Sequence, residues 1–521
     1  MKSRVFVALL LTALAGCSDT PVQLTSAHGV IEGREADGVK RFLGIPYAMS
    51  TSGELRWAPP EEVPHWDKVL DATQFGPWCP QPDFDRREEG EVHSGEGWTI
   101  FVDVPPNVET SEDCLSLNVW APVQAASSPV MVFIHGNALG TSFPAYDGTA
   151  FARDGIVFVS INFRLHSMGN FAHPALTRAA DDAEPLARYT EMDQLAALRW
   201  VQKNIAAFGG DPANVTVVGS SNGGAGILQM LTNETSKGLF HKAIVQSGNG
   251  WWAPWKHAQN EQLGCLLASM ADLDGCDATL EELRELPWHE FPVTGPYAID
   301  GRYWRRGATE LISEGLAVDV PLLIGWNDFD GSSLRYAAQH VIETTHPDVL
   351  ATYETGLDQE QDLAYEIYTD LHSGAPARWV AHKLEDGEPT YLYMFSYVLS
   401  SERGNVRGAE HAYELPHVFD TWDKVLPPII GPLFISEEDL EMTMIMHACW
   451  VSFAATGKPS CPNVPDWPKY NRATDQLMEL NLTPTVRTGF RAAQLNAHER
   501  HMEHYLKKSE SNVEELLKNG L

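Results

Sequence analysis

An α/β architecture, a sheet covered by helices, is expected for this chain of 521 residues from three observations. The first is a β-branched run, Val215-Thr-Val-Val218, that ends abruptly in Gly219-Ser-Ser221-Asn-Gly223. Small residues on both sides of a serine let the chain turn sharply from strand to helix, leaving the serine strained at the top of a sheet with its Oγ exposed. The second is what precedes that run. The apolar positions of 191–205 fit a helical period, and Phe208-Gly-Gly-Asp-Pro212 then breaks the helix and leads into the strand. Helix, breaker, strand, tight turn and glycine-rich helix start form one coherent unit, which gives weight to a serine pattern that means little alone in a chain with 41 glycines. The third is composition: 44% hydrophobic, 10% aromatic and 21% charged residues, with no evident repeat or low-complexity tract, fit one large globular domain.

The first residues read as an address. Lys2 and Arg4 precede an apolar stretch, Val5 to Ala15, that is too short to span a bilayer and has the character of a leader's central region. It ends in Leu14-Ala-Gly-Cys17, which resembles a bacterial lipobox; Ser18 in the next position resembles outer-membrane lipoproteins. The expectation is a leader over 1–16, a lipidated Cys17, a single domain over 17–521 and export to the outer membrane. The formal charge of −33 repels nucleic acid and anionic headgroups, so neither is an expected partner, and membrane attachment would run through the lipid on Cys17 alone.

Further motifs carry a family resemblance. Phe42-Leu-Gly-Ile-Pro-Tyr-Ala48, Gly53-Glu-Leu-Arg56, Ser111-Glu-Asp-Cys-Leu-Ser-Leu-Asn-Val119, Asn162-Phe-Arg-Leu165, Phe208 to Pro212 and the Ser221 turn stand at ordered spacings. Together they are similar to the type B carboxylesterases, the cholinesterase-like branch of the α/β-hydrolases. That resemblance implies one large twisted sheet, mostly parallel, with helices on both faces and the active site at the carboxyl ends of the strands. It also implies that Arg56 pairs with Glu112.

Six cysteines follow Cys17, an even number that in an exported chain points to disulfides. Cys79 with Cys114 and Cys265 with Cys276 match two bridges of the family. Cys449 and Cys461 pair by default, although family members with a third bridge close it farther along the chain. No C-x-x-C spacing offers a cysteine-only zinc site, and neither metal nor cofactor is expected in the chemistry.

The α/β-hydrolase order is serine, acid, histidine. Among 19 histidines, His411 stands in Gly408-Ala-Glu-His-Ala-Tyr-Glu-Leu-Pro-His417-Val-Phe419, which is similar to the family's histidine loop; His417 takes a packing position. The acid lies in Gly325-Trp-Asn-Asp328-Phe-Asp330-Gly331. The family register assigns Asp330, one methylene shorter than the family's frequent glutamate, and Asp328 is the alternative. The resemblance thus implies a Ser221, His411, Asp330 triad that hydrolyses carboxylic esters through an acyl-enzyme. The Asn222 N–H and the backbone of Val132-Phe-Ile-His-Gly136-Asn137-Ala138-Leu-Gly140 would supply the oxyanion hole.

Three departures bear on substrate. Asn137 and Ala138 replace usual glycines, so added Cβ atoms crowd the alcohol side and disfavour tertiary-alcohol esters. Ser220 replaces a glutamate common beside the nucleophile. Residues 102–112 contain no aromatic platform for a quaternary ammonium, so choline esters are not expected. Trp251 and Trp252, after Gln246-Ser-Gly-Asn-Gly250, are candidates for the acyl pocket or for its wall. The sequons at Asn214, Asn233 and Asn481 are expected to be unused, and 499–521 reads as an amphipathic surface helix. Two functional classes remain: a serine hydrolase of esters, with lactones, thioesters or amides as lesser substrates, and a binding protein on the same scaffold. The oligomeric state is left open.

Overall fold

The computed structural model describes residues 19–81, 109–136, 140–182, 184–248, 250–251, 253–291, 298–334, 338–353, 360–425, 435–508 and 517. The leader and Cys17 lie outside them. In chain order the strands are β1 (Thr20–Ser26), β2 (Gly29–Ala36), β3 (Val39–Pro46), β4 (Leu70–Asp71), β5 (Ser116–Pro122), β6 (Ser128–Ile134), β7 (Val157–Ile161) and β8 (Gly210–Ser220). There follow β9 (Lys242–Gln246), β10 (Trp255–Lys256), β11 (Ala298–Ile299), β12 (Leu322–Asn327), β13 (Thr390–Phe395), β14 (Gln476–Leu480) and β15 (Thr485–Thr488). Among the described residues, one sheet of 13 strands runs β1-β2-β3-β5-β7-β6-β8-β9-β12-β13-β14-β15, with β4 beside β2. The stretch from β7 to β14 is parallel throughout, whereas β1, β2, β3, β5 and, at the other edge, β15 pair antiparallel along this path, and β4 lies parallel to β2. The β10–β11 pair stands apart.

Strand alternation divides the apolar residues between two cores. Val130, Val132 and Ile134 of β6 face one, with Val157, Val159 and Ile161 of β7 and Leu322, Ile324 and Trp326 of β12. Met131, Phe133, Phe158 and Leu323 face the other. The period of two aims neighbouring side chains to opposite faces, and because both faces are covered the strands read as continuous apolar runs rather than alternating ones. The helices Tyr189–Asn204 and Asn222–Leu231 pack into the first core, and Glu437–Thr456 fills the second with Met442, Ile445, Met446, Trp450 and Phe453. Burying each large apolar side chain contributes about 1.5–3 kcal/mol, so the elements that carry the site are held from both sides.

The helix expected over 191–205 runs Tyr189–Asn204 and passes into a short 3-10 turn, Ile205–Phe208, closed by Gly209 at φ 85°. A left-handed glycine at that position stops the helix without Cβ strain. The structure differs from the expectation just beyond it. Asp211 and Pro212, expected to belong to the breaker, lie inside β8, because Gly210 already pairs Ser128 of β6 and the register then shifts before Val130 meets Val215. A bulge therefore absorbs the Asp-Pro pair within the strand. Of the C-terminal stretch expected as a helix over 499–521, 499–500 end the helix Ala492–Arg500 and 502–508 are helical, with a turn at 501 between them, while 509–516 and 518–521 lie outside the described residues.

Three disulfides join Cys79 to Cys114, Cys265 to Cys276 and Cys449 to Cys461, with Cα atoms 5.0, 4.4 and 4.8 Å apart. Arg56 and Glu112 pair as expected: Arg56 Nε donates to Oε2 at 2.7 Å, Nη2 donates to Oε1 at 2.5 Å, and Nη1 donates to the Leu286 carbonyl. Arg56 is buried and Glu112 partly so, and this bidentate pair ties the segment that ends in Cys114 to the chain after β3. No helix among the described residues is long and apolar enough to cross a membrane.

Candidate active site

Ser221 sits between β8 and the helix Asn222–Leu231 at φ 56°, ψ −125°. A non-glycine residue holds this conformation only where its surroundings enforce it. Here the enforcement is close packing: a Cβ on Gly219 would lie 2.6 Å from the Gly223 carbonyl carbon, and one on Gly223 would collide with the Ile134 carbonyl oxygen. The turn is also pinned by the Ser221 N–H, which donates to the Gln246 carbonyl at 2.9 Å. Asn222 opens the helix, so its N–H belongs to the first turn, where no intrahelical carbonyl awaits it and the helix dipole is positive.

The end of β6 approaches from the side. A Cβ on Gly136 would stand 3.2 Å from Ser221 Cβ and 3.7 Å from its Oγ, so the backbone there lines the space around the hydroxyl. His135 turns inward, stacks on Phe163 and is pushed by burial to a pKa of about 4, which keeps it neutral. Asn137 and Ala138, the other expected oxyanion donors, lie outside the described residues, as does Trp252.

The acid and the base come from loops at the carboxyl ends of β12 and β13. Asp330 Oδ1 lies 2.9 Å from His411 Nδ1, and its Oδ2 accepts the Asn327 N–H at 3.2 Å. Asp330 is buried at 2% exposure, and the 3-10 turn that it opens is clamped at Gly331, whose N–H donates to Thr369 Oγ1 at 2.7 Å. The His411 N–H donates to Ser332 Oγ at 2.9 Å, so the same turn fixes both partners. Asp328 is elsewhere. Its Oδ1 accepts the Ala409 N–H at 2.7 Å, and it faces a cavity of about 450 Å³ lined also by Trp326, Phe329, Tyr365 and Glu479.

That placement raises the Asp328 pKa to about 7, first through desolvation and then through the like charges of Glu479 and Asp330, against the Ala409 hydrogen bond. In the unfolded chain an aspartate titrates near about 3.9, so folding takes up a proton between that value and neutrality. Its contribution to stability is present below the unfolded value and is lost as pH rises toward 7. Asp328→Asn keeps an acceptor for Ala409 and removes the charge. Its thermal midpoint should exceed that of the wild type at pH 8, and the difference should narrow at pH 5; an unchanged difference across that interval would reject this account.

Behind the site lies a network that no sequence motif singles out. Glu414, fully buried, accepts Gln246 Nε2 at 2.8 Å and Asn327 Nδ2 at 2.5 Å, while Asn327 Nδ2 also donates to the Glu410 carbonyl and Trp450 Nε1 donates to Gln246 Oε1. One carboxyl thus joins the strand beside Ser221, the acid loop and the histidine loop. Burial, followed by the charge of Asp330, raises the Glu414 pKa against the Asn327 bond. Its closeness in sequence to His411 is the available signal. His417 packs as expected, buried against Trp422 and Tyr397, hydrogen-bonded through Nδ1 to Thr443 and held neutral at a pKa of about 3. Trp251, at 6% exposure, meets Trp379 edge to face at 6.3 Å and belongs to the first core.

The family model of the carboxylesterase family matches residues 18–348 and 337–498. The para-nitrobenzyl esterase of Bacillus subtilis is 31% identical over 495 residues, covering 89% of this chain and 95% of its own length. The fumonisin B1 esterase of Sphingopyxis macrogoltabida is 30% identical over 502 residues, covering 89% and 87%. A solved carboxylesterase of Geobacillus stearothermophilus superposes with a TM-score of 0.75 at 29% identity, over 91% of this chain and 99% of that one. With a parallel sheet that carries a strained serine and a paired histidine and aspartate at its loops, the chain belongs to the carboxylesterase family and is a carboxylic ester hydrolase.

Proposed function

We propose that Ser221, His411 and Asp330 carry out ester hydrolysis through an acyl-enzyme. His411 takes the hydroxyl proton as Ser221 Oγ bonds to the carbonyl carbon, and Asp330 holds the imidazole tautomer and the imidazolium that forms. The proton then passes to the alkoxy oxygen as its bond to carbon breaks. Water, deprotonated by His411, then attacks the acyl carbon, and His411 returns the proton to Ser221 Oγ as its bond to that carbon breaks and the acid leaves. The Asn222 N–H, with backbone donors at Asn137 and Ala138, meets the oxyanion. The observation that carries this reading is the 2.9 Å contact of Asp330 Oδ1 with His411 Nδ1, set by the same turn that fixes the His411 backbone.

The substrates proposed are small uncharged esters of primary or secondary alcohols. Para-nitrobenzyl esters, for which the Bacillus subtilis relative is named, are the first to try. A panel varied separately in acyl length and alcohol bulk tests this with chelator present. Hydrolysis should persist and fall steeply for tertiary alcohols; a preference for tert-butyl or choline esters would contradict the proposal.

The second part of the proposal concerns location. Residues 17–521 act as one catalytic domain, exported behind the leader 1–16 and tethered to the outer membrane by lipid on Cys17. The support is the Leu14-Ala-Gly-Cys17 pattern after a short apolar stretch. One acyl chain binds membranes marginally, whereas the multiple chains of a bacterial lipoprotein anchor stably. Globomycin should make an uncleaved precursor accumulate, and a soluble mature protein that begins elsewhere than Cys17 would refute the tether.

A further inference from the structure

On the side of the molecule that carries the C-terminal helices, a small separate apolar cluster joins Val341, Val349, Tyr353, Ala364, Ile367 and Ala497. The three disulfides all lie in other segments. At the rim of this cluster, His346 caps the start of the helix Pro347–Leu350 and His501 caps the end of Ala492–Arg500. Their rings stack with centroids 3.6 Å apart and planes 18° apart. Asp348 Oδ2 stands 3.5 Å from His501 Nε2 and 4.0 Å from His346 Nδ1.

We propose that His346, Asp348 and His501 form a site for a divalent transition-metal ion of the Zn²⁺ class, which clamps the C-terminal helices to the helix Pro347–Leu350. The His346 and His501 rings lie against each other beside the Asp348 carboxylate, so two imidazoles and one carboxylate oxygen meet in one region. Two imidazoles and one carboxylate suit borderline divalent ions and leave positions for water. Distance agrees as well. Donors about 2.1 Å from one ion lie about 3.4 Å apart at a tetrahedral angle and about 4.2 Å apart across an octahedron. One ligand atom from each of the three residues falls within 4.8 Å of the others, and rotating the two rings out of their stack, so that their in-plane lone pairs converge, closes the set.

The site is reachable, with side chains 27%, 72% and 21% exposed. The His346 ring is aimed by its Nδ1, which accepts the Asp348 N–H at 3.2 Å; an ion that takes this lone pair leaves the amide to solvent, beside the exposed Asp348 side chain. His504 stands edge-on to His346 at 5.2 Å, so a third imidazole lies at the rim. The strongly negative surface draws cations toward the molecule.

Metal-stripped full-length protein titrated with Zn²⁺ at neutral pH should bind one ion at this site and gain thermal stability with Zn²⁺ concentration, as a ligand of the folded state must produce. Removing a group that merely orients a metal ligand weakens binding by about 10–100-fold, and losing a direct ligand should cost no less. His501→Gln and, at the exposed position, Asp348→Asn should therefore each lower Zn²⁺ affinity by at least about tenfold and abolish the thermal shift. Mg²⁺, which prefers oxygen ligands, should do neither. Wild-type protein that binds no Zn²⁺, or an affinity and thermal shift that survive Asp348→Asn and His501→Gln, overturns the site.

Discussion

Ser221→Ala should lower kcat for a p-nitrophenyl ester by about five to six orders of magnitude, and His411→Ala should cost nearly as much. The size of the effect follows from geometry. Ser221 is held at φ 56° by close contacts around Gly219 and Gly223 at the turn from strand to helix. Without that hydroxyl no acyl-enzyme forms; without the imidazole the hydroxyl keeps its proton and attacks poorly. The two side chains act in one step, so the double variant should be scarcely slower than either single one. Steady-state rates of the three variants, set against an equally purified wild type, check this. A double variant that loses the product of the two single effects would mean that the residues act independently.

Asp330→Asn should lower kcat by up to about 10⁴-fold while leaving the fold intact, since the amide nearly matches the carboxylate in size. Asp330 Oδ1 accepts from His411 Nδ1, and Oδ2 accepts the Asn327 N–H at 3.2 Å, so the orientation of the carboxylate is fixed at both ends. An amide there offers its NH₂ to one of these donors, which favours the wrong histidine tautomer and removes the charge that stabilises the imidazolium. Asp328→Asn should lower kcat far less, because its contact is with the Ala409 N–H and the cavity behind the loop. Comparing kcat for the two variants separates the carboxylates; a larger loss at Asp328 would displace Asp330 from the role of acid.

Much of this was legible because local rules and tertiary structure agree. The serine turn, the helix before it and the glycine that ends that helix are set by backbone sterics within a few residues, and such rules survive any context. The continuous apolar runs of the parallel strands follow from burial on both faces. What escaped depends on contacts between distant segments. The bulge at Asp211 to Asn214 exists because Gly210 pairs Ser128 across the sheet, against the local turn signal of Asp-Pro. Glu414 carries no local signal of burial, and only the fold places it among Gln246, Asn327 and Trp450. Asp330 could be preferred over Asp328 only by register, and the distance to His411 is a property of two loops 81 residues apart. The pairing of His346 with His501 likewise joins helices that nothing in their local sequence connects.

The most direct test of the central claim is mass spectrometry of peptides after treatment with an organophosphate. The label should appear once per chain, on Ser221 in the peptide that contains Gly219 to Gly224, and esterase activity should fall in proportion to labelling. His411→Ala should label much more slowly. Activity that survives complete labelling of Ser221, or full inhibition with the label on another residue, would contradict the assignment of Ser221 as nucleophile.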